Sequence, residues 1–291
     1  MNWARLKPIW PHAAHSHFLP TAKGRGRWHV QILGDGPDLL LIHGAGGATQ
    51  SFRGLLPLLA EHHRCIAIDL PGQGFSRPGI AGRYGIDAMA ADIGSLLWTE
   101  GWRPEAIIGH SAGAALALRL AEAEVTKGPV IGINAALGKF EGVAGWAFPL
   151  AARMMALNPL TALAVSNLSG SQSVVNRLLD GTGSQIDAEG RTLYRHLASS
   201  AQHVDGTLRM MAGWTLDPLL ARLPRNAART VLITAAGDRT VPPSVSEKAA
   251  ARMPNAELIA MPDLGHLAHE EAPARIADYV REALAEPAVS L

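Results

Sequence analysis

The pentapeptide Gly109-His110-Ser111-Ala112-Gly113 is the only G-x-S-x-G in the 291-residue chain, and it joins an apolar run, Ala106–Gly109, to an alanine-rich stretch with helical spacing. A serine between two such elements occupies a sharp strand-to-helix turn that projects its hydroxyl, and the flanking glycines let strand and helix approach closely. Ser111 is therefore the candidate nucleophile. A serine hydroxyl is weakly nucleophilic at neutral pH, so it needs a histidine base, and the base needs a carboxylate to fix its tautomer. Where such elbows occur, the acid and then the histidine follow the serine along the chain. Downstream, Asp238 lies just past the apolar run Thr230–Ala236, and His266 follows the run Glu257–Met261. These two are the candidate acid and base. His269 is the rival base, but it falls nearer the final helical pattern. Asp263 is the rival acid, too close to His266 in sequence to approach it from a separate loop.

Acyl transfer through a tetrahedral intermediate also needs donors aimed at the developing oxyanion. The run Asp38–Ile42 leads into His43-Gly44-Ala45-Gly46-Gly47. The backbone amides of Ala45, in this early loop, and Ala112, next after the nucleophile, are the expected oxyanion hole. The same loop lacks the G-x-x-x-x-G-K-[ST] lysine and the G-x-G-x-x-G spacing, which argues against a nucleotide cradle. The chemistry needs no metal and no organic cofactor. His12, His15 and His17 have no carboxylate or thiol beside them, so a solvated N-terminal arm is expected there rather than a metal cluster.

These residues require a scaffold that brings several strand ends to one edge. Short apolar runs recur at Trp28–Leu33, Asp38–Ile42, Cys65–Asp69, Ala106–Gly109, Val130–Asn134, Thr230–Ala236 and Glu257–Met261, most without polar alternation. Such runs suit strands covered by helices on both faces, as in a mostly parallel sheet. Helical patterns alternate with them at Phe52–Ala60, Ile86–Glu100, Ala112–Glu124, Ser244–Arg252 and Pro273–Ala285, giving an α/β fold. The alternation lapses between about Ala135 and Arg225, which reads as a helical cap inserted above the carboxyl ends of the strands. The expected division is a core of residues 1–134 and 226–291 and a cap of residues 135–225.

Composition narrows the function classes. The chain is 48% hydrophobic and carries 26 Lys and Arg against 25 Asp and Glu, so it can fill a core and has no net field to attract nucleic acid. A single cysteine, Cys65, excludes an internal disulfide framework. The start of the chain, broken by Pro8 and Pro11, lacks the apolar core of a signal peptide, and a cytoplasmic protein is expected. No run reaches the 20 or so apolar residues of a membrane span. The nearly uncharged stretch Gly142–Asn176 lacks the basic face of an interfacial helix, and a buried cap helix is expected there rather than a membrane contact.

Taken together, the oxyanion loop, the elbow, the acid and the histidine resemble the α/β-hydrolase superfamily. The turn Asp69-Leu70-Pro71-Gly72-Gln73-Gly74-Phe75-Ser76 adds the D-x-x-G-x-G-x-S pattern common in it. Serine at the elbow departs from the aspartate nucleophile of haloalkane dehalogenases and epoxide hydrolases, and argues against those activities. A narrower resemblance is to the magnesium-chelatase accessory α/β-hydrolases of bacteriochlorophyll biosynthesis. It rests on Trp10-Pro11, Trp28-His29-Val30-Gln31, Ile133-Asn134-Ala135-Ala136-Leu137, Ala156-Leu157-Asn158-Pro159-Leu160, Gly181-Thr182-Gly183-Ser184, Met210-Met211-Ala212-Gly213-Trp214 and Gly265-His266-Leu267-Ala268-His269-Glu270-Glu271. That resemblance implies a role near magnesium insertion into protoporphyrin, with chelatase subunits as partners to consider, and it leaves the substrate open.

A tetrapyrrole is a wide apolar plate with carboxylate arms, so its site should combine soft apolar walls with rim cations. Trp146, Met155, Met211 and Trp214 are the expected substrate-binding residues of the cap, with Arg153, Arg177, Arg191, Arg195 and Arg209 as cations. The competing reading is that these residues pack and solvate the cap. Three functions follow: an ester-type serine hydrolase, a hydrolase of carbon–carbon bonds with the same triad, and a porphyrin-binding or chelatase-associated protein with little turnover.

Overall fold

The structure, a computed structural model, describes residues 1–138, Ser166 and 170–285. Among the described residues eight strands form one sheet in the order β1-β2-β4-β3-β5-β6-β7-β8. They are β1 (Ser16–Pro20), β2 (Arg27–Leu33), β3 (Asp38–Ile42), β4 (Arg64–Ile68), β5 (Ala106–His110), β6 (Val130–Ile133), β7 (Thr230–Ala235) and β8 (Ala256–Met261). β2 runs antiparallel to both its neighbours, and every other pairing is parallel. The mostly parallel sheet flanked by helices expected from the sequence is the observed architecture.

The described α-helices are α1 (Trp3–Leu6), α2 (Leu55–Leu59), α3 (Ile86–Glu100), α4 (Ala112–Glu122), α5 (Gln172–Gly181), α6 (Ala188–Ala198), α7 (Ala201–Gly213), α8 (Asp217–Arg222), α9 (Pro243–Ala250), α10 (Ala268–Glu271) and α11 (Pro273–Ala285). The apolar strand runs have a direct physical cause. In β3, Leu39 and Leu41 pack into a layer with α2 and α11, whereas Leu40 and Ile42 pack into the opposite layer with α3 and α4. Both faces are dry, so the run has no polar alternation. Complete burial of each such side chain contributes roughly 1.5–3 kcal/mol.

The strand order reverses between β3 and β5, so the crossovers from these two strands leave on opposite sides and open a crevice at their carboxyl ends. The loops carrying Gly44 and Ser111 lie there. The helical pattern expected over Phe52–Ala60 is split into a 3₁₀ turn, Thr49–Phe52, and α2. Gly54 separates them, and a Cβ there would fall 2.9 Å from the Pro273 ring.

The N-terminal segment departs from the solvated arm expected. It supplies β1, which pairs with β2 from Ser16–Gln31 to Pro20–Arg27. Trp10 is buried with Leu6, Phe75, Leu193 and Leu197, and His12 Nε2 donates to the Arg53 carbonyl at 2.8 Å. His15 and His17 are exposed. The apolar anchors at Leu6, Trp10 and Phe18 outweigh the polar residues between them.

Between β6 and β7, α5 packs Val175 and Leu179 with Leu267, α7 sets Gly206 against Gly72, and α8 packs Leu219 into the layer that holds α3 and α4. Trp146, Met155 and Arg153 lie outside the described residues, as does most of Gly142–Asn176. Among the described residues no helix is long and apolar enough to cross a membrane.

Candidate active site

Ser111 stands between β5 and α4 at φ 52°, ψ −116°, a conformation that L residues seldom adopt and that costs of order 1–3 kcal/mol. Close packing holds it there. A Cβ on Gly109 would meet the Gly113 carbonyl at 2.4 Å, and one on Gly113 would meet the Ile42 carbonyl at 2.1 Å. Only glycines allow the helix to press against β5 and β3. The Ser111 amide donates to the Ile133 carbonyl at 2.9 Å, and its own carbonyl accepts from Ala136 at 3.1 Å. The elbow is thus tied to β6 as well.

Asp238 and His266 follow β7 and β8. His266 Nδ1 donates to Asp238 Oδ2 at 2.7 Å, and both residues are buried. The other carboxylate oxygen of Asp238 accepts the amides of Thr240 at 2.7 Å and Val241 at 2.8 Å. This arrangement aims the carboxylate and fixes the imidazole tautomer, leaving Nε2 as the ring's basic nitrogen. No hydrogen bond joins Ser111 Oγ to His266 in this conformation. Such contacts are commonly loose in unliganded hydrolases and tighten around substrate.

The loop after β3 lies against the elbow: a Cβ on Gly44 would fall 3.0 Å from Ser111 Cβ and 2.8 Å from His110 Nδ1. Among the described residues, neither the Ala45 nor the Ala112 amide has a protein acceptor. Of the two donors named from the sequence, Ala45 lies in the loop after β3 and Ala112 is the first residue of α4. Of the expected cap residues, Met211 is half-buried on α7, and Trp214 packs against the core layer. Arg191 pairs with Asp180 and Arg209 with Asp205, so these two cations are matched within the inserted segment.

The rivals occupy different places. Asp263 is exposed and paired with Arg275. His269 is buried behind His110, their ring centroids 4.3 Å apart, and neither of its nitrogens has a partner. Burial, reinforced by the neighbouring His266 and Arg53, pushes its pKa down to about 3.

Several further residues build the site, although the sequence alone assigns them no role in it. His110 Nε2 donates to the His266 carbonyl at 2.9 Å. Asn134, at φ 46° past β6, donates to the Gly265 and His266 carbonyls at 3.0 and 2.9 Å and accepts the Ala235 amide at 2.9 Å. His266 is therefore held through its backbone from two directions. His43 Nδ1 donates to the Gly44 carbonyl at 2.7 Å while Nε2 accepts the Leu70 amide at 2.9 Å. Burial keeps its pKa below the usual histidine value, and only the neutral ring can make both bonds. Asp69 accepts from Thr49, Phe75 and His29. Burial alone would raise its pKa, but His29 first, then nearby His43 and the Phe75 amide, hold it below the ordinary carboxylate range. The signal for Asn134 and His110 was their position at strand ends, which the sequence does not separate from chance.

The profile of the alpha/beta hydrolase fold family matches residues 37–273. The chain belongs to the α/β-hydrolase family. Within that family it is 48% identical over 239 residues to the magnesium-chelatase 30 kDa subunit of Rhodobacter capsulatus, covering 82% of this chain and 83% of that protein. It is 29% identical to the pimeloyl-[acyl-carrier protein] methyl ester esterase of Xanthomonas axonopodis pv. citri, over 88% of this chain and 96% of that one. A thermophilic esterase from Thermogutta terrifontis superposes with a TM-score of 0.74 at 21% identity, over 92% of this α/β-hydrolase and 97% of the esterase. At that identity the likeness speaks for the fold. Both the superfamily and the narrower resemblance read from the motifs are borne out.

Proposed function

We propose that this α/β-hydrolase is a serine hydrolase acting on an ester or similar acyl substrate, in the service of bacteriochlorophyll synthesis near the magnesium-chelatase step. What supports the reading is the strained Ser111 turn after β5 together with the buried His266–Asp238 pair in the loops after β7 and β8, at the same edge of the sheet. Ser111 Oγ adds to the acyl carbonyl as its proton passes to His266 Nε2, and Asp238 stabilises the imidazolium. The negative charge gathers on the carbonyl oxygen between the Ala45 and Ala112 amides. Collapse of the intermediate breaks the bond to the leaving group, which takes the proton from His266, and leaves an acyl-enzyme. Water, deprotonated by the same histidine, then releases the acid and restores Ser111. In this reading Met211 and Trp214, with Trp146 and Met155, supply apolar walls for the substrate.

A fluorophosphonate probe tests the nucleophile. Wild type should be labelled and Ser111→Ala spared; equal labelling of both would remove Ser111 from the role. A second reading, a chelatase-associated binding protein with little turnover, is favoured by the 48% identity to the R. capsulatus protein, which is named as a magnesium-chelatase subunit. The two separate in a phototrophic host lacking this gene. Failure of folded Ser111→Ala to restore bacteriochlorophyll supports catalysis, and full rescue supports binding.

A further inference from the structure

The loop that would hold the oxyanion is gripped from the inserted segment. Residues 44–47 form a turn closed by a bond from the Gly47 amide to the Gly44 carbonyl at 3.1 Å. Gly46 stands at φ +78°, the left-handed position that a type II turn requires. Its own polar groups are both taken up by side chains. The Gly46 amide donates to Gln73 Oε1 at 2.9 Å, and the Gly46 carbonyl accepts from His203 Nε2 at 3.1 Å.

His203 comes from α7. Its other nitrogen, Nδ1, accepts the Gly74 amide at 2.9 Å, so one buried ring bridges the turn 44–47 and the turn 69–76. Burial holds its pKa down to about 4, and the neutral ring with its proton on Nε2 is the one form that makes both bonds. Two turns along the same helix, Met210 Sδ accepts from Gln73 Nε2 at 3.1 Å. Between them Gly206 presses on Gly72, where a Cβ would fall 2.3 Å from the Gly72 carbonyl. His203, Gly206 and Met210 share one face of α7 by their spacing, and that face touches both loops. Helix α7 thus reaches Gly46 twice, directly through His203 and indirectly through Met210 and Gln73.

We infer that His203 is a positioning residue: by holding the Gly46 carbonyl it sets the Ala45 amide at the oxyanion site, so the site is complete only while α7 is docked. This rests on the hydrolase reading and adds to it a coupling between inserted segment and reacting centre. A ligand or partner that lifts α7 would release the Ala45 donor without touching Ser111, His266 or Asp238.

Conservative variants separate this role from a purely structural one. Glutamine at 203 places an amide N–H near the position of Nε2 and keeps the bond to Gly46, whereas asparagine places an acceptor near Nδ1 and keeps only the bond to Gly74. Second-order labelling by a fluorophosphonate, whose phosphoryl oxygen enters the oxyanion site, should fall at least roughly tenfold in His203→Asn and His203→Ala. The fall should move towards the 10²- to 10³-fold loss typical of a missing oxyanion donor. His203→Gln should recover most of the rate. Amide exchange at Gly46 and Gly47, followed by NMR, should accelerate in the Asn and Ala variants and not in Gln. Equal labelling and equal exchange across all variants overturn the inference, as does rescue by asparagine rather than glutamine. If wild type itself is not labelled, the hydrolase reading fails, while the exchange data still decide whether His203 orders the loop.

Discussion

At the residue scale the site depends on side chains whose bonds fix one protonation state. Asp238 supplies one oxygen to His266 and the other to two amides, so Asp238→Asn keeps the shape but presents a donor or a neutral acceptor where a carboxylate is needed. Under the hydrolase reading its acyl-transfer rate should fall roughly 10³- to 10⁴-fold, the scale seen when a triad carboxylate is neutralised. Ester turnover by a folded variant within a few-fold of wild type would show that Asp238 is not the orienting acid. His269 illustrates the opposite case. It is wedged between Phe52 and His110, and neither nitrogen is bonded, so its polarity costs free energy and returns nothing to the fold. His269→Leu should stabilise the protein by about 1 kcal/mol near neutral pH, the scale of a relieved unsatisfied polar group. Urea denaturation gives the sign directly.

At the scale of elements, close backbone approaches that only glycine permits hold the loops of the candidate site together. Gly113 lets α4 lie against β3, and Gly206 lets α7 lie against the turn 69–76. Gly206→Ala should force the helix and turn apart, costing about 1–3 kcal/mol by overpacking. It should also slow fluorophosphonate labelling, because α7 carries His203. An Ala variant as stable and as reactive as wild type would mean that the helix shifts freely. A second tie joins core to insertion: buried Glu270 pairs with Arg53 and accepts from Tyr194 of α6 at 2.6 Å, and Arg53 also pairs with Asp187 at the start of α6. Burial raises the Glu270 pKa to about 7 against the pull of Arg53 and Tyr194.

These groups make stability a function of pH for the whole molecule. The pKa values of His203 and His269 are lowered to about 4 and about 3, and that of His110 well below its ordinary value, all by burial first. Below about pH 6.5 the unfolded chain takes up protons that these rings refuse in the fold, so stability falls as pH drops from there towards the folded-state values. Glu270 works the other way. Its folded pKa exceeds the unfolded value of 4.5, so its contribution is present at low pH and is lost as pH rises towards 7. Three histidines outweigh one carboxyl, and stability should peak near neutrality and decline on the acid side. In His269→Leu the acid slope should shrink by roughly 1.4 kcal/mol per pH unit, the value of one proton. An unchanged slope would show that His269 is not protonated on unfolding.

Seven of the eight described strands are readable from their apolar runs, most plainly β3 to β7, which a doubly covered sheet buries on both faces; β1 is not, because Ser16–Pro20 mixes polar and apolar residues on a sheet edge. The sequence by itself also determined the strand-to-helix turn at Ser111, since a G-x-S-x-G between a strand and a helix has few other uses, and it pointed to Asp238 and His266 as candidate partners. Only the tertiary structure decided that the N-terminal arm is part of the fold. It also decided that Asn134 and His110 hold the His266 backbone, and that His203 and Gln73 reach Gly46 from positions 157 and 27 residues away. Local pattern encodes burial and turn geometry. Bonds between distant residues leave no periodic trace, and they arise only when the strand ends are brought to one edge.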